Sequence, residues 1–148
     1  MGGYQTVVVG TDGSDSSLRA VERAGQLASG PGAKLIVASA FIPAPEDTRA
    51  ADMLKDESYK VAGNAPVYEI LREARERATA AGAAEVEERA VEGAPVDALV
   101  DLVAEVGADL LVVGNLGLNT IAGRLLGSVP ANVARRSKSD VLIVHTTT

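Results

Sequence analysis

The sequence lacks cysteine and tryptophan, and its 148 residues include one phenylalanine and one histidine. Without cysteine the chain cannot form disulfides, use a catalytic thiol or bind a metal through thiolates. The histidine is His145, so clusters of metal-binding histidines are excluded and a Ser-His-Asp mechanism is not favoured. Because aromatic residues make up only 3% of the chain, the core must be built from valine, leucine, isoleucine and alanine. That composition is typical of a parallel sheet covered by helices.

The chain also lacks an excess of positive charge and any long apolar run. Its formal net charge of -6 argues against nonspecific binding of nucleic acid or of an anionic membrane. The first residues, MGGYQT, have neither the basic region nor the apolar stretch of a signal peptide, and no run is long enough to span a membrane. We therefore expect a cytoplasmic protein without nucleic-acid or membrane partners. The 148 residues, 47% of them hydrophobic, predict a single domain over 1–148.

Apolar runs of strand length alternate with amphipathic segments of helix length. The predicted strands are Thr6–Gly10, Lys34–Phe41, a more charged edge strand within 82–93, Asp109–Gly114 and Asp140–His145. Helices are predicted from Ser14 or Ser16 to about Ala28, from Pro66 onward, from Pro95 to Gly107 and from Val129 to about Arg136, with a long connection over 42–65. This alternation predicts a Rossmann-like α/β fold: one open five-stranded parallel sheet with helices on both faces. Sequence alone does not order the strands. We expect the order 3-2-1-4-5, in which strands one and four flank a ligand-binding crevice.

A glycine-rich segment after the fourth strand, GNLGLNTIAGRLLGSVPANV, is the stronger functional signal. Its main-chain N–H groups can bind an anion at two places, because glycine allows close approach and a helix start favours negative charge. The residues concerned are Gly114, Leu116 and Gly117 at the strand end, and Gly127, Ser128 and Val129 at the helix start. The segment therefore predicts a phosphate pocket. Glycines needed only for turns, with Ser128 as a helix N-cap, would give the same pattern.

The first strand ends in GTDGSDSS, which begins like a phosphate loop but carries Asp12. The spacing does not match a dinucleotide fingerprint or a P-loop, and it fits an ATP-pyrophosphatase loop only in part. Asp12 and Asp15 are three positions apart, whereas an aspartyl phosphatase would need two. A carboxylate at a strand end is a good acceptor for ribose hydroxyls, so we interpret Asp12 as a sugar contact. A helix cap or turn former is the alternative.

These motifs together resemble the universal stress protein family. The resemblance rests on GTDGSDSS, on the spacing Gly114-x2-Gly117-x9-Gly127-Ser128 and on GRLLGSVPANVARRSKSDVLIVH, and it extends over the whole chain, most like single-domain actinobacterial members of mycobacterial type. It implies an adenine-nucleotide-binding fold, usually dimeric, that acts in stress or dormancy regulation rather than in turnover. By position it implies a ribose or base contact for Asp12, a main-chain contact of Ala40 with adenine, and ribose or phosphate contacts for Gly114, Leu116, Gly117, Gly127, Ser128 and Val129. Gly10 and Thr11, beside Asp12, complete the expected nucleotide-binding set.

The ligand is expected to be cyclic AMP or ATP. Family members that hold ATP often carry a basic or polar side chain just before the second glycine, where this chain has Leu116. ATP would then depend on main-chain amides, Ser128, Arg124 and Mg²⁺, whereas the singly charged phosphodiester of cyclic AMP needs less compensation. Some actinobacterial members are associated with cyclic AMP. Cyclic AMP is therefore slightly favoured, and Mg²⁺ is expected only together with ATP.

We expect a protein that senses, stores or buffers its nucleotide, with no catalytic residues and no metal site. A slow ATPase or autophosphorylating enzyme using Mg²⁺ and Ser128 or Thr120 is one alternative, although a general base and a basic clamp are missing from the motifs. A dimeric interaction scaffold without nucleotide binding is another. The last strand, Val141 to His145, is apolar on both faces and would form a sheet edge. Pairing with the same strand of a second subunit would cover it, so a homodimer is expected.

Overall fold

The computed structural model describes residues 3–41, 57–115 and 128–146. Along these ranges the elements are β1 Thr6–Gly10, α1 Asp15–Leu27, β2 Lys34–Phe41, α2 Glu57–Ala81, β3 Val86–Glu92, α3 Pro95–Val106, β4 Leu110–Gly114, α4 Ser128–Arg136 and β5 Asp140–Val144. Each predicted strand is present, and β1 and β2 have the predicted bounds. Gly107 ends α3 in the left-handed region, with φ of 66°, which glycine adopts without strain.

The strands form one parallel sheet in the order β3-β2-β1-β4-β5, which confirms the predicted fold class and strand order. β1 pairs with β2 from Thr6 opposite Lys34, and with β4 from Val7 opposite Leu110. The chain thus proceeds from β1 outward to β3 and then crosses to β4 on the other side. The carboxyl ends of β1 and β4 lie side by side at this reversal, which is where open α/β sheets bind ligands.

Both faces of the sheet are buried, as the continuous apolar runs of the central strands require. Val7, Val9 and Val112 belong to the cluster that contains the buried side chains of α1 and α2. The intervening residues Val8 and Leu111 belong to the cluster that contains those of α3 and α4. All five side chains are fully buried. The helices therefore cover both faces, as predicted.

The start of α2 differs from the prediction. The helix begins at Glu57 and continues through Pro66, where we predicted its first turn, so the predicted connection over 42–65 is shorter than expected. Proline is common in a first turn because it lacks an N–H group, but inside a helix the missing group removes one hydrogen bond without always ending the helix. Residues 42–56 of the predicted connection lie outside the described residues. Although α2 has 25 residues, no helix in the described ranges is long and apolar enough to cross a membrane.

The two edges of the sheet have opposite character. Along the β3 edge, Glu87 pairs with Lys34 at 2.6 Å, and Arg89 pairs with Glu105 at 2.8 Å. The hydrogen bond between Lys34 and Glu87 lowers the pKa of Glu87 and raises that of Lys34. The β5 edge instead presents Ile143, with 42% of its surface exposed. Charged side chains on an edge strand discourage pairing with another sheet. The β3 edge therefore disfavours such pairing, whereas the β5 edge with its exposed Ile143 does not.

Candidate functional site at the carboxyl ends of the strands

The turn between β1 and α1 is shaped by its own hydroxyl groups. Ser14 is the N-cap of α1, one of the two predicted candidates, and its side chain accepts the N–H of Ser17. The Ser17 hydroxyl donates to the Ser14 carbonyl at 3.0 Å and lies 2.7 Å from the Thr11 hydroxyl, which therefore donates to Ser17. Thr11 also accepts the N–H of Gly13, whose φ of 86° requires a residue tolerant of the left-handed region. The serines and threonine thus fix the turn that begins at Gly10.

Asp12 lies in this turn, directly beyond the end of β1. Its Oδ1 accepts the N–H of Ser14 at 3.0 Å, and its own N–H donates to the Ser17 hydroxyl at 3.3 Å. The side chain is half-buried. The turn-forming role considered for Asp12 is therefore present in the structure. The ribose contact stays a prediction.

The end of β2 supplies main-chain groups rather than a side chain. The N–H of Thr11 donates to the Ala38 carbonyl at 2.9 Å, and the N–H of Gly93 donates to the Phe41 carbonyl at 2.8 Å, so Ala38 faces β1 and Phe41 faces β3. Along a strand, the main-chain N–H and C=O of one residue face one neighbouring strand, and those of the next residue face the other. Those of Ala40 therefore face the β1 side, as those of Ala38 do. The ladder between β1 and β2 ends at Ala38. The N–H and C=O of Ala40 therefore face the opening between β2 and the β1–α1 turn.

Gly114 ends β4 and is packed closely by the protein itself. A Cβ atom at this position would lie 3.3 Å from Thr146 Cγ2 and 3.4 Å from Ser16 Oγ. The glycine therefore leaves room for the approach of two protein side chains, a reason that the sequence pattern does not reveal. Leu116, Gly117 and Gly127, the other predicted members of the glycine-rich segment, lie outside the described residues.

The start of α4 falls where the sequence predicts an anion-binding helix end. Ser128 is its first residue, and Val129 follows in the first turn. Val129 is 4% exposed and belongs to the same buried cluster as Val113, near the end of β4. The Val129 side chain therefore packs in the core, and only the main chain of this residue can face a ligand. α4 has no acidic residue in its first turn, whereas α1 has Asp15 there.

The structure places a group of hydrogen-bonded residues beside Gly114 that the sequence-based prediction of the site did not include. Asn115 Oδ1 accepts both the N–H and the hydroxyl of Thr146, at 2.9 Å and 2.8 Å. Ser16 Oγ lies 2.5 Å from Thr146 Oγ1, and the Arg19 guanidinium donates to the Thr146 carbonyl. We call Ser16, Arg19, Asn115 and Thr146 the Thr146 network. An amide residue directly after a strand-ending glycine was the available signal for Asn115, but the sequence offers none for Thr146.

These groups can bind a ligand through main-chain amides, hydroxyls and one carboxylate. Within the ranges that the structure describes, no three His, Cys, Asp or Glu side chains are arranged to hold a metal ion. His145 Nδ1 lies 3.3 Å from the Asn115 side-chain amide, which donates to it. The predicted absence of catalytic residues and of a metal site stays a prediction.

Comparison with known proteins identifies the family. A family model described as the universal stress protein family matches residues 3–145. This chain belongs to the universal stress protein family. It is 73% identical over 147 residues to a universal stress protein of Mycobacterium tuberculosis, covering 99% of this chain and 100% of that relative. The predicted family is therefore confirmed.

Two solved universal stress proteins contain nucleotides. One, solved in complex with cAMP, is 67% identical and superposes with a TM-score of 0.77, covering 98% of this chain and 99% of that chain. Another, from Archaeoglobus fulgidus and in complex with dAMP, is 26% identical with a TM-score of 0.67, covering 95% and 97%. Close and distant relatives of this universal stress protein thus include structures with an adenine nucleotide.

Proposed function

We propose that this universal stress protein binds adenine nucleotides and that it senses, stores or buffers cyclic AMP in the cytoplasm. The observation that carries the proposal is the likeness to the cAMP complex, at 67% identity over nearly the whole of both chains. The described geometry supports it, because β1 and β4 flank the crevice in which α/β sheets bind ligands.

Recognition of the base is assigned to Ala40. Its N–H and C=O face the opening beside the β1–α1 turn, so they offer one donor and one acceptor next to each other. Adenine presents an N6–H donor beside a ring-nitrogen acceptor, which complements such a pair. Main-chain recognition of this kind explains how an alanine can serve in a binding site.

The phosphate is assigned to the strand end at Gly114 and to the start of α4 at Ser128 and Val129. The positive end of a helix dipole attracts an anion, and an acidic residue in the first turn offsets that attraction. α1 carries Asp15 there and α4 carries no acid, so the start of α4 is the more favourable of the two. A singly charged cyclic phosphodiester suits a site built from neutral amides better than a triphosphate does.

The ribose is assigned to Asp12, which gives a direct test by calorimetry with cyclic AMP and ATP in parallel. The substitution Asp12→Asn keeps an Oδ1 atom for the Ser14 N–H. It replaces the other carboxylate oxygen by an NH₂ group, which cannot accept a hydrogen bond from a ribose hydroxyl. We expect cyclic AMP to bind the variant about tenfold more weakly, a loss of about 1.4 kcal/mol. Circular dichroism checks that the variant is folded, as expected because the contact of Oδ1 with the Ser14 N–H is kept.

Asp15→Asn is the matched control, since Asp15 is an exposed carboxylate only three residues farther along the chain, in the first turn of α1. It should bind cyclic AMP as the wild-type protein does or slightly more tightly. Equal or tighter binding by Asp12→Asn would make Asp12 a turn former only. Tight ATP binding with negligible cyclic AMP binding would make ATP the ligand, and binding of neither would refute the proposed function.

Binding without turnover is part of the proposal. The motifs of the site carry neither a general base nor a basic clamp, and His145, the single histidine, is exposed and accepts a hydrogen bond from Asn115. Multiple turnovers of ATP by the purified protein with Mg²⁺ would contradict this part and favour the slow ATPase.

We further propose a homodimer through β5 and His145, the segment Val141 to His145. Among the described strands β5 pairs only with β4, the exposed Ile143 lies on it, and a groove of about 460 Å³ between β5 and α1 is lined by residues that include Leu142, Ile143, Arg19 and Arg23. An apolar edge of this kind is covered in most soluble proteins. A second copy of the same strand fits it in length and character.

Ile143→Asp is expected to shift the protein toward monomers, because a carboxylate would replace an apolar side chain that the second copy covers in the proposed dimer. The dimer dissociation constant should rise at least about tenfold, measured by sedimentation velocity over a dilution series. Tyr68→Asp is the control, since Tyr68 is 59% exposed on α2, away from β5. A monomeric wild-type protein, or a dimer that tolerates Ile143→Asp, would contradict this interface.

A further inference from the structure

The Thr146 network connects three elements that are far apart in sequence. Thr146 follows β5, Asn115 follows β4, and Ser16 and Arg19 lie in the first two turns of α1. Thr146 is only 3% exposed although it is close to the end of the chain. A buried residue at such a position needs all of its polar groups paired, and the structure supplies a partner for its N–H, its C=O and its hydroxyl.

The direction of each hydrogen bond follows from the chemistry of the groups. Asn115 Oδ1 can only accept, so the Thr146 hydroxyl donates its proton there. Ser16 must then donate to Thr146 Oγ1. The Asn115 N–H donates to the Val144 carbonyl at 2.9 Å, and its side-chain NH₂ donates to His145. Asn115 is thereby held by both its main chain and its side chain to the end of β5.

Resting on the proposed function, we propose that Asn115 and Thr146 are positioning residues for the nucleotide. They lie next to Gly114, which is assigned to the phosphate, and they fix the orientation in which the chain leaves β4. The same contacts hold the first turn of α1, the helix that follows Asp12. Neither residue needs to touch the nucleotide, because they set the positions of the main-chain groups that do.

Loss of the Thr146 hydroxyl should therefore weaken nucleotide binding. In the substitution Thr146→Val the volume is kept, but the donor to Asn115 and the acceptor for Ser16 are both removed. The end of β4 would then leave its binding-competent arrangement more often, and the apparent affinity falls in proportion to the competent fraction. We expect the dissociation constant for cyclic AMP to rise about five- to tenfold, the scale of one net hydrogen bond.

The test compares three variants by calorimetry with cyclic AMP, together with hydrogen exchange of the Asn115 amide. Thr146→Val should weaken binding and speed the exchange. Thr146→Ser keeps the hydroxyl and its hydrogen bonds. Its cyclic AMP affinity and its rate of Asn115 amide exchange should both be close to those of the wild-type protein. Tyr4→Phe is the structural control, because the Tyr4 hydroxyl donates to Asp140 Oδ2 at 2.9 Å and so holds the opposite end of β5. It should leave the cyclic AMP affinity unchanged.

The possible outcomes separate this inference from the proposed function. Wild-type affinity in Thr146→Val, or equal losses in Thr146→Val and Tyr4→Phe, would overturn the positioning role and leave nucleotide binding intact. Weak binding by Thr146→Ser, matching that of Thr146→Val, would also overturn it, because the hydroxyl would then not be the decisive group. Absence of cyclic AMP binding by the wild-type protein would overturn both proposals.

Discussion

Replacing Gly114 by leucine is expected to abolish binding of cyclic AMP, with an affinity loss of about a hundredfold or more. A Cβ atom at position 114 would already lie 3.3 Å from Thr146 Cγ2 and 3.4 Å from Ser16 Oγ, and the rest of a leucine side chain would have to displace them. Displacement would move the strand end to which the phosphate is assigned. Calorimetry with cyclic AMP measures the loss, and circular dichroism shows whether the variant is folded.

Gly114→Ala is the graded comparison. Its Cβ is tight but not prohibitive, since the nearest atom is a methyl group that can move by a few tenths of an ångström. We expect a loss between those of wild type and Gly114→Leu, about tenfold. A folded Gly114→Leu variant that binds cyclic AMP with wild-type affinity would remove Gly114 from the site.

The largest effect on stability is expected from Gly25→Ala. Gly25 is buried in α1 where that helix crosses α2, and an added Cβ would lie 2.6 Å from the Ala78 carbonyl oxygen and 3.1 Å from its Cα. Alanine gains about 1 kcal/mol over glycine inside a helix, but separating two packed backbones costs more. We expect a net loss of about 2 kcal/mol in the free energy of unfolding and a melting temperature about 4–8 °C lower.

Gly30→Ala provides the matched control for this prediction. No atom lies within 4 Å of a Cβ added at Gly30, so the variant should stay within about 0.5 kcal/mol of the wild-type stability. Thermal unfolding followed by circular dichroism compares the two. Equal melting temperatures for Gly25→Ala and the wild-type protein would mean that α1 and α2 can separate at little cost.

The strands could be predicted because their signals are local, whereas their order was expected from the usual topology of open α/β sheets. A short apolar run such as Leu110–Gly114, bounded by turn residues, is typical of a strand buried on both faces, and the glutamates of 86–92 mark an edge. The start of α2 could not be predicted, because Pro66 is a favourable first residue and also a tolerable interior one. Only the surrounding structure decides between those two positions.

The candidate site was predictable only in part, for a different reason. Gly114, Ser128 and Asp12 carry recognisable patterns, but the structure gives Asp12 a turn contact and gives Gly114 a packing contact that their patterns do not distinguish from ligand binding. Asn115 and Thr146 are 31 positions apart, and a single sequence contains no signal for a contact over that separation. Nor does it reveal that Thr146 is buried.

The unequal edges of the sheet limit the size of any assembly built by strand pairing. If both edges were apolar, copies could add to one another without end and form fibres. Among the strands that the structure describes, the β3 edge carries the ion pairs of Lys34 with Glu87 and of Arg89 with Glu105, so β5 is the edge that favours pairing. In the proposed homodimer, two copies would pair along β5 and leave the charged β3 edges on the outside. The ion pairs beside β3 would then keep the assembly at two copies, because charged edges do not favour further strand pairing.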